Sequence, residues 1–197
     1  METLNSLERY KLTIFSKPGT VVSAKAIIPV FHKWIREQSI DELLIDVADY
    51  THLPSGPNAL LVGHEANLAI EASTDCVGLS YVRKRNAAGE LAKRLATGAK
   101  TLLQAARMLE SDSDVMAGGN FTFQTDKVVF SPNDRLLAPN TPEMVGAVEK
   151  VLQTFGEHLH GTKSITISSQ TKGHQPTFSI TPKTCVSLDK LIENLTS

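Results

Sequence analysis

Cysteine is scarce: Cys76 and Cys185 are the only two in 197 residues. They lie far apart and outside any Cys-x-x-Cys or Cys/His spacing, so neither a zinc site nor a disulfide scaffold is written into the chain. Long apolar runs are also missing. No window approaches the ~18 apolar residues of a membrane span, and METLNSLERY at the start has no basic segment leading into an apolar run. The expectation is a cytoplasmic protein with reduced thiols and no membrane partner. Net charge is nearly absent too, since 20 basic and 21 acidic residues leave −1. With the signs well mixed there is no field to draw in a polyanion, and nucleic acid is not expected as a partner. The densest basic run, Arg83-Lys84-Arg85 with Lys93, Arg94 and Lys100 downstream, reads as a solvated strand end and helix face.

The motifs of common chemistries are missing as well. No Walker loop or Gly-x-Gly-x-x-Gly follows a strand, no Gly-x-Ser-x-Gly elbow occurs, and there is no His-x-His or His-Glu-x-x-His spacing. No nucleotide, cofactor or resident metal is therefore expected.

What remains is an ordinary globular composition, 41% hydrophobic and 21% charged, in a chain long enough to bury a core without staples. Tyr10–Ser16 alternates weakly and ends at Lys17-Pro18-Gly19, the signature of a strand and turn. Ile27, Ile28, Phe31, Trp34 and Ile35 recur at helical spacing, with Pro29 placing the helix start near Ile27 or Ile28. Strands are expected at Leu43–Tyr50, Ala59–Glu71 and Val77–Arg85, separated by the stiff loop Thr51–Asn58 and a turn at Ser73–Cys76. A long helix follows to Glu110, with Asn86 as its cap. The polar stretch Ser111–Asn120 marks either a flexible connection or a boundary between two halves of what is otherwise one domain, residues 1–197.

Phe121–Gln124 and Lys127–Ser131 read as a hairpin. Thr141, Pro142 and Glu143 open a helix that Gly161 closes, with His158 and His160 complementing its negative end. Two strands around Gly173 and a helix capped by Ser187 complete the chain, with His174 exposed in the turn. The order predicts an α+β fold, a mostly antiparallel sheet with helices on one face, built from two similar β/α halves.

The chemistry concentrates in Leu43–Ala66, LLIDVADYTHLPSGPNALLVGHEA, expected as two central strands. If the turn at Ser73-Thr74 sets the register, Arg83 lies opposite His64, and the tightest loop register puts Asp46 on its other side. Asp46, His64 and Arg83 are then the candidate catalytic residues, an acid/base pair with an anion-holding guanidinium. A buried polar network that fixes register is the plainer alternative. A metal reading would gather His52, His64, Glu65 and Asp49. Asp49, Tyr50, His52 and Glu65 are candidate ligand contacts, together with Asn133, Asp134 and Arg135 beside a helix start. Gly63 suits a place where another segment approaches a strand closely.

Asp46–Ala66 (DVADYTHLPSGPNALLVGHEA) and Asn133–Glu143 (NDRLLAPNTPE) resemble the signatures of a family of uncharacterised bacterial proteins of about this length. The resemblance implies a single unit of constant length and carries no activity. It departs at Asn67, Leu68 and Ala69, where the family's forms have a tyrosine and an acid. The expected function is binding of a small ligand or a protein partner without catalysis. The alternatives are a hydrolase or isomerase using Asp46 and His64, and a homodimer joined through a sheet edge or the long helix.

Overall fold

A computed structural model describes residues 2–20, 24–53, 56–72, 76–117, 121–171 and 175–196. The turn at Ser73-Thr74, the glycines and Asn120 of the expected boundary, Gly173 and His174 lie outside them. Tyr10, Leu12 and Ile14 of strand β1 (Tyr10–Phe15) are fully buried and sit at the middle of an eight-stranded sheet. The remaining strands are β2 (Leu44–Asp49), β3 (Ala59–Gly63), β4 (Ala66–Ala72), β5 (Val77–Arg83), β6 (Val128–Pro132), β7 (Ile165–Gln170) and β8 (Thr177–Pro182). Their order across the sheet is β2-β3-β4-β5-β1-β6-β8-β7, antiparallel at every pairing.

The helices are α1 (Glu2–Asn5), α2 (Ala24–Glu37), α3 (Leu91–Ser111), α4 (Ser113–Met116), α5 (Pro142–His160) and α6 (Leu188–Asn194). The fold is therefore α+β, with a repeated plan. From β1 the chain crosses through α2 to the edge strand β2 and returns through β3 and β4 to β5 beside β1, and α3 follows. From β6 it crosses through α5 to the other edge strand β7 and returns through β8 beside β6, and α6 follows. None of these helices is long and apolar enough to cross a membrane.

The register assigns the two faces. Tyr81, Leu12, Phe130 and Phe178 align across β5, β1, β6 and β8 and carry the helix-covered core, in which Gly98 of α3 lies against the Tyr81 ring and the Tyr10 hydroxyl and Gly156 of α5 against Ile180 and Ile165. On the open face one row crosses every strand: Ala48, Leu60, Ala69, Ser80, Thr13, Val129, Ser179 and Ser168. These are mostly small side chains. Ser80 and Thr13 are nevertheless buried, joined by a 2.8 Å hydroxyl bond. The cause lies above them, because Lys11 opposite Val82 reaches diagonally over β5 to pair with Glu71 opposite Gly78.

Several elements differ from expectation. The single strand Ala59–Glu71 is two strands joined by a turn at His64-Glu65, and β2 is an edge strand rather than a central one. Phe121–Gln124 forms no hairpin strand; Phe123 makes an isolated bridge to Ser16. Helix α2 starts at Ala24 and contains Pro29. Pro29 is exposed, and a missing helical hydrogen bond costs least where water can replace it. The position before α3 is Glu90, with no side-chain cap bond, and Asn86 does not serve. The first amide, Leu91 N–H, instead donates to Asn5 Oδ1 from the far N-terminus. Arg94 is buried rather than solvated, its guanidinium donating to the carbonyls of Leu7 and Asn5.

The start of α5 follows its sequence signals. Thr141 accepts from Met144 N–H, Pro142 is the first helical residue, and Gly161 closes the helix at φ 64°. Thr141→Ala should lower stability by about 1 kcal/mol, measured as a shift in urea midpoint with unchanged slope.

Candidate functional site

The turn between β3 and β4 is held from five directions. Leu43 C=O accepts from His64 N–H at 2.8 Å, and Glu42 Oε1 accepts from the amides of Glu65 (2.9 Å) and Ala66 (2.6 Å). Lys84 Nζ donates to Gly63 C=O and Arg85 Nε to His64 C=O. Glu65 C=O accepts from the backbone N–H groups of Lys84 and Arg85. A β-carbon on Gly63 would stand 2.5 Å from both Ala66 C=O and Glu42 Oε1, so the close approach expected there is made by the protein's own chain.

Arg83 is the inner brace. Its side chain points to the helix-covered face and is only 12% exposed, donating to Glu65 Oε2, Tyr81 Oη, Arg85 C=O and Asn86 C=O. Burial pushes the Tyr81 phenol up, and the bond from Arg83 opposes that shift.

What this bracing leaves available is the His64 ring. It is 44% exposed, its Nε2 is 3.9 Å from Glu65 Oε1, and it makes no hydrogen bond with a described residue. It borders an open groove lined by Arg9, Ile45, Gly63, His64, Glu65, Lys84, Arg85 and Asn86. Three cations face this groove. Its one acid among the described residues, Glu65, is already paired with Arg83.

The register differs from the one expected. Arg83 pairs with Ala66 and Asp46 with Val62, so His64 stands beyond both strands in the turn. A two-residue slip in the β4–β5 pairing accounts for the first difference, and the β3–β4 break with a bulge between Leu44 and Asp46 for the second. Asp46 is exposed and accepts from Val47 N–H at 2.8 Å; it makes no bond to His64. Asp49, Tyr50 and His52 gather at the opposite end of β3 from His64 and Glu65, roughly 13 Å away at the usual strand rise. There the hydroxyl and then the N–H of Thr51 hold the Asp49 carboxyl below the usual carboxylate range, and Tyr50 lies beside the His52 ring. Among the described residues no three His, Cys, Asp or Glu side chains are arranged to hold a metal ion.

Asn133, Asp134 and Arg135 come to the groove's flank. Asn133 N–H donates to Arg9 C=O, Asp134 accepts from the amides of Leu136 and Leu137, and Arg135 is exposed. Arg9 thus touches both regions. Sequence reasoning missed Arg9 and Glu42, which carry no local motif, and it read Lys84 and Arg85 as solvated charge; their place at the end of the strand meander is the signal that could have found them. No family model, curated protein or solved structure matches the chain.

Proposed function

We propose that the protein is a binding module that takes an anionic group, of a small ligand or of a partner protein, in the groove beside His64, and performs no chemistry of its own. The observation that carries this is the charge balance of the groove: Arg9, Lys84 and Arg85 face it while Arg83 holds its only carboxylate. Arg guanidiniums suit carboxylate or phosphate because their donors form a planar fork. The rigid turn fixes His64 as a further donor or acceptor at little entropic cost. Asp46 is engaged with its own strand and Glu65 with Arg83, so neither orients His64 as a base, and this supports binding over turnover. Neither Cys76 nor Cys185 is in a disulfide, which suits a reducing compartment, and the proposal places the protein in the cytoplasm.

The test is calorimetric titration with inorganic pyrophosphate and with a glutamate-rich peptide at low and at physiological salt. Binding should weaken with salt and fall about tenfold or more in Arg9→Glu, roughly 1.4 kcal/mol. Equal affinity of wild type and Arg9→Glu for both probes, or no binding of either, overturns the reading.

A further inference from the structure

The two edges of the sheet are built differently. At β2, Asp46 covers the amide of Val47, Asp49 covers that of Thr51, both acids are exposed, and a bulge interrupts the pairing with β3. Charges and bulges of this kind keep an edge from adding a further strand. At β7 none of these devices is present. Residues Ile165–Gln170, ITISSQ, contain no charge and no proline, and they pair with β8 without a shift in register.

One bond sets the phase of that pairing. Lys183 N–H donates to Ser164 C=O at 2.9 Å, so in an antiparallel ladder the bonded pairs recur at every second residue from there, through Thr166, Ser168 and Gln170. Pro182, which has no N–H, falls opposite Ile165 in a pair that needs none. The N–H and C=O groups of Ile165, Ile167 and Ser169 therefore point outward, and no described strand takes them.

We propose that a second copy of this chain docks antiparallel along β7, with the two-fold axis at Ile167. That register sets Ile167 against Ile167 of the second copy and Ile165 against its Ser169, so all outward groups find partners. The half-buried isoleucines on the helix-covered face gain further cover. On the open face Thr166 meets Ser168 of the second copy, hydroxyl beside hydroxyl, with no like charges opposed. The edge is thus complementary to itself, the requirement of an isologous interface. The groove at His64 lies toward the β2 side of the sheet and remains open in both copies.

Sedimentation equilibrium from low micromolar to millimolar protein tests this. Wild type should show a concentration-dependent dimer. Ser169→Pro removes an outward donor and no β7–β8 bond; the double variant Thr166→Lys with Ser168→Lys sets lysines against lysines across the axis. Each should raise the dimer dissociation constant by about a hundredfold or more while keeping the wild-type circular dichroism spectrum. If Ser169→Pro does not fold, the lysine variant decides. A wild type that stays monomeric to millimolar concentration, or a dimer retained in the lysine variant, overturns the proposal.

Discussion

Gly63→Ala is expected to destabilise the protein by about 3 kcal/mol and to weaken anion binding at the groove. The added β-carbon meets a backbone carbonyl, Ala66 C=O, and the carboxylate of Glu42, each at 2.5 Å. A flexible side chain could swing away, but Ala66 C=O belongs to a turn whose neighbouring amides and carbonyls are all engaged, and Glu42 Oε1 accepts two amides that lose their partner if it retreats. Relief therefore requires opening the turn, which releases the Lys84 and Arg85 contacts and moves His64. Chemical denaturation gives the first effect and pyrophosphate titration the second. A variant with the wild-type denaturation midpoint would show that the turn accommodates a β-carbon at position 63.

Acid should unfold the protein partly through His160. This histidine ends α5, is 2% exposed, and neither ring nitrogen has a hydrogen-bond partner among the described residues. It does not complement the helix end at the surface, as exposed His158 can. Burial lowers its pKa from 6.5 to about 4. Above pH 6.5 the ring is neutral in both folded and unfolded chains and contributes no pH dependence. Between 6.5 and about 4 the unfolded chain binds a proton that the folded chain excludes, so stability falls with pH by about 3 kcal/mol in all. His160→Leu removes the proton site and keeps an apolar group in place. The difference in unfolding free energy between wild type and variant, followed from pH 7 to 4, should grow as the pH falls; a constant difference would mean that His160 already titrates normally in the folded state.

The parts of the fold legible in the sequence are those whose signals are local. Thr141-Pro142-Glu143 and Gly161 mark α5 because cap, ring and left-handed glycine all act within one turn of helix. The turn at His64-Glu65 was not legible for the opposite reason. It has neither glycine nor proline at its two central positions, and apolar residues lie on either side of it, Leu60, Leu61 and Val62 before and Leu68 and Ile70 after. What closes it comes from Glu42 before it and Arg83, Lys84 and Arg85 after it. Register suffered likewise, since a slip in one loop carries Arg83 from His64 to Ala66. Asp46 and Asp49 held more information than their chemistry suggested: two acids on an otherwise apolar strand are what an exposed edge carries. The candidate site was therefore half legible, His64, Glu65 and Arg83 from their stretch of chain, Arg9 and Glu42 only from the fold.

The position of β1 sets an order on synthesis. Leu12 leaves the ribosome before either of its neighbours across the sheet, Tyr81 and Phe130. Until Tyr81 emerges, Tyr10, Leu12 and Ile14 have no strand to pair with, and one flank stays open until Phe130 follows. Such non-local closure is slow and leaves strand edges exposed in the meantime. The meander β2–β5, whose partners are adjacent in sequence, can assemble first and receive β1 afterwards, so the strand at the centre of the finished sheet joins a preformed edge.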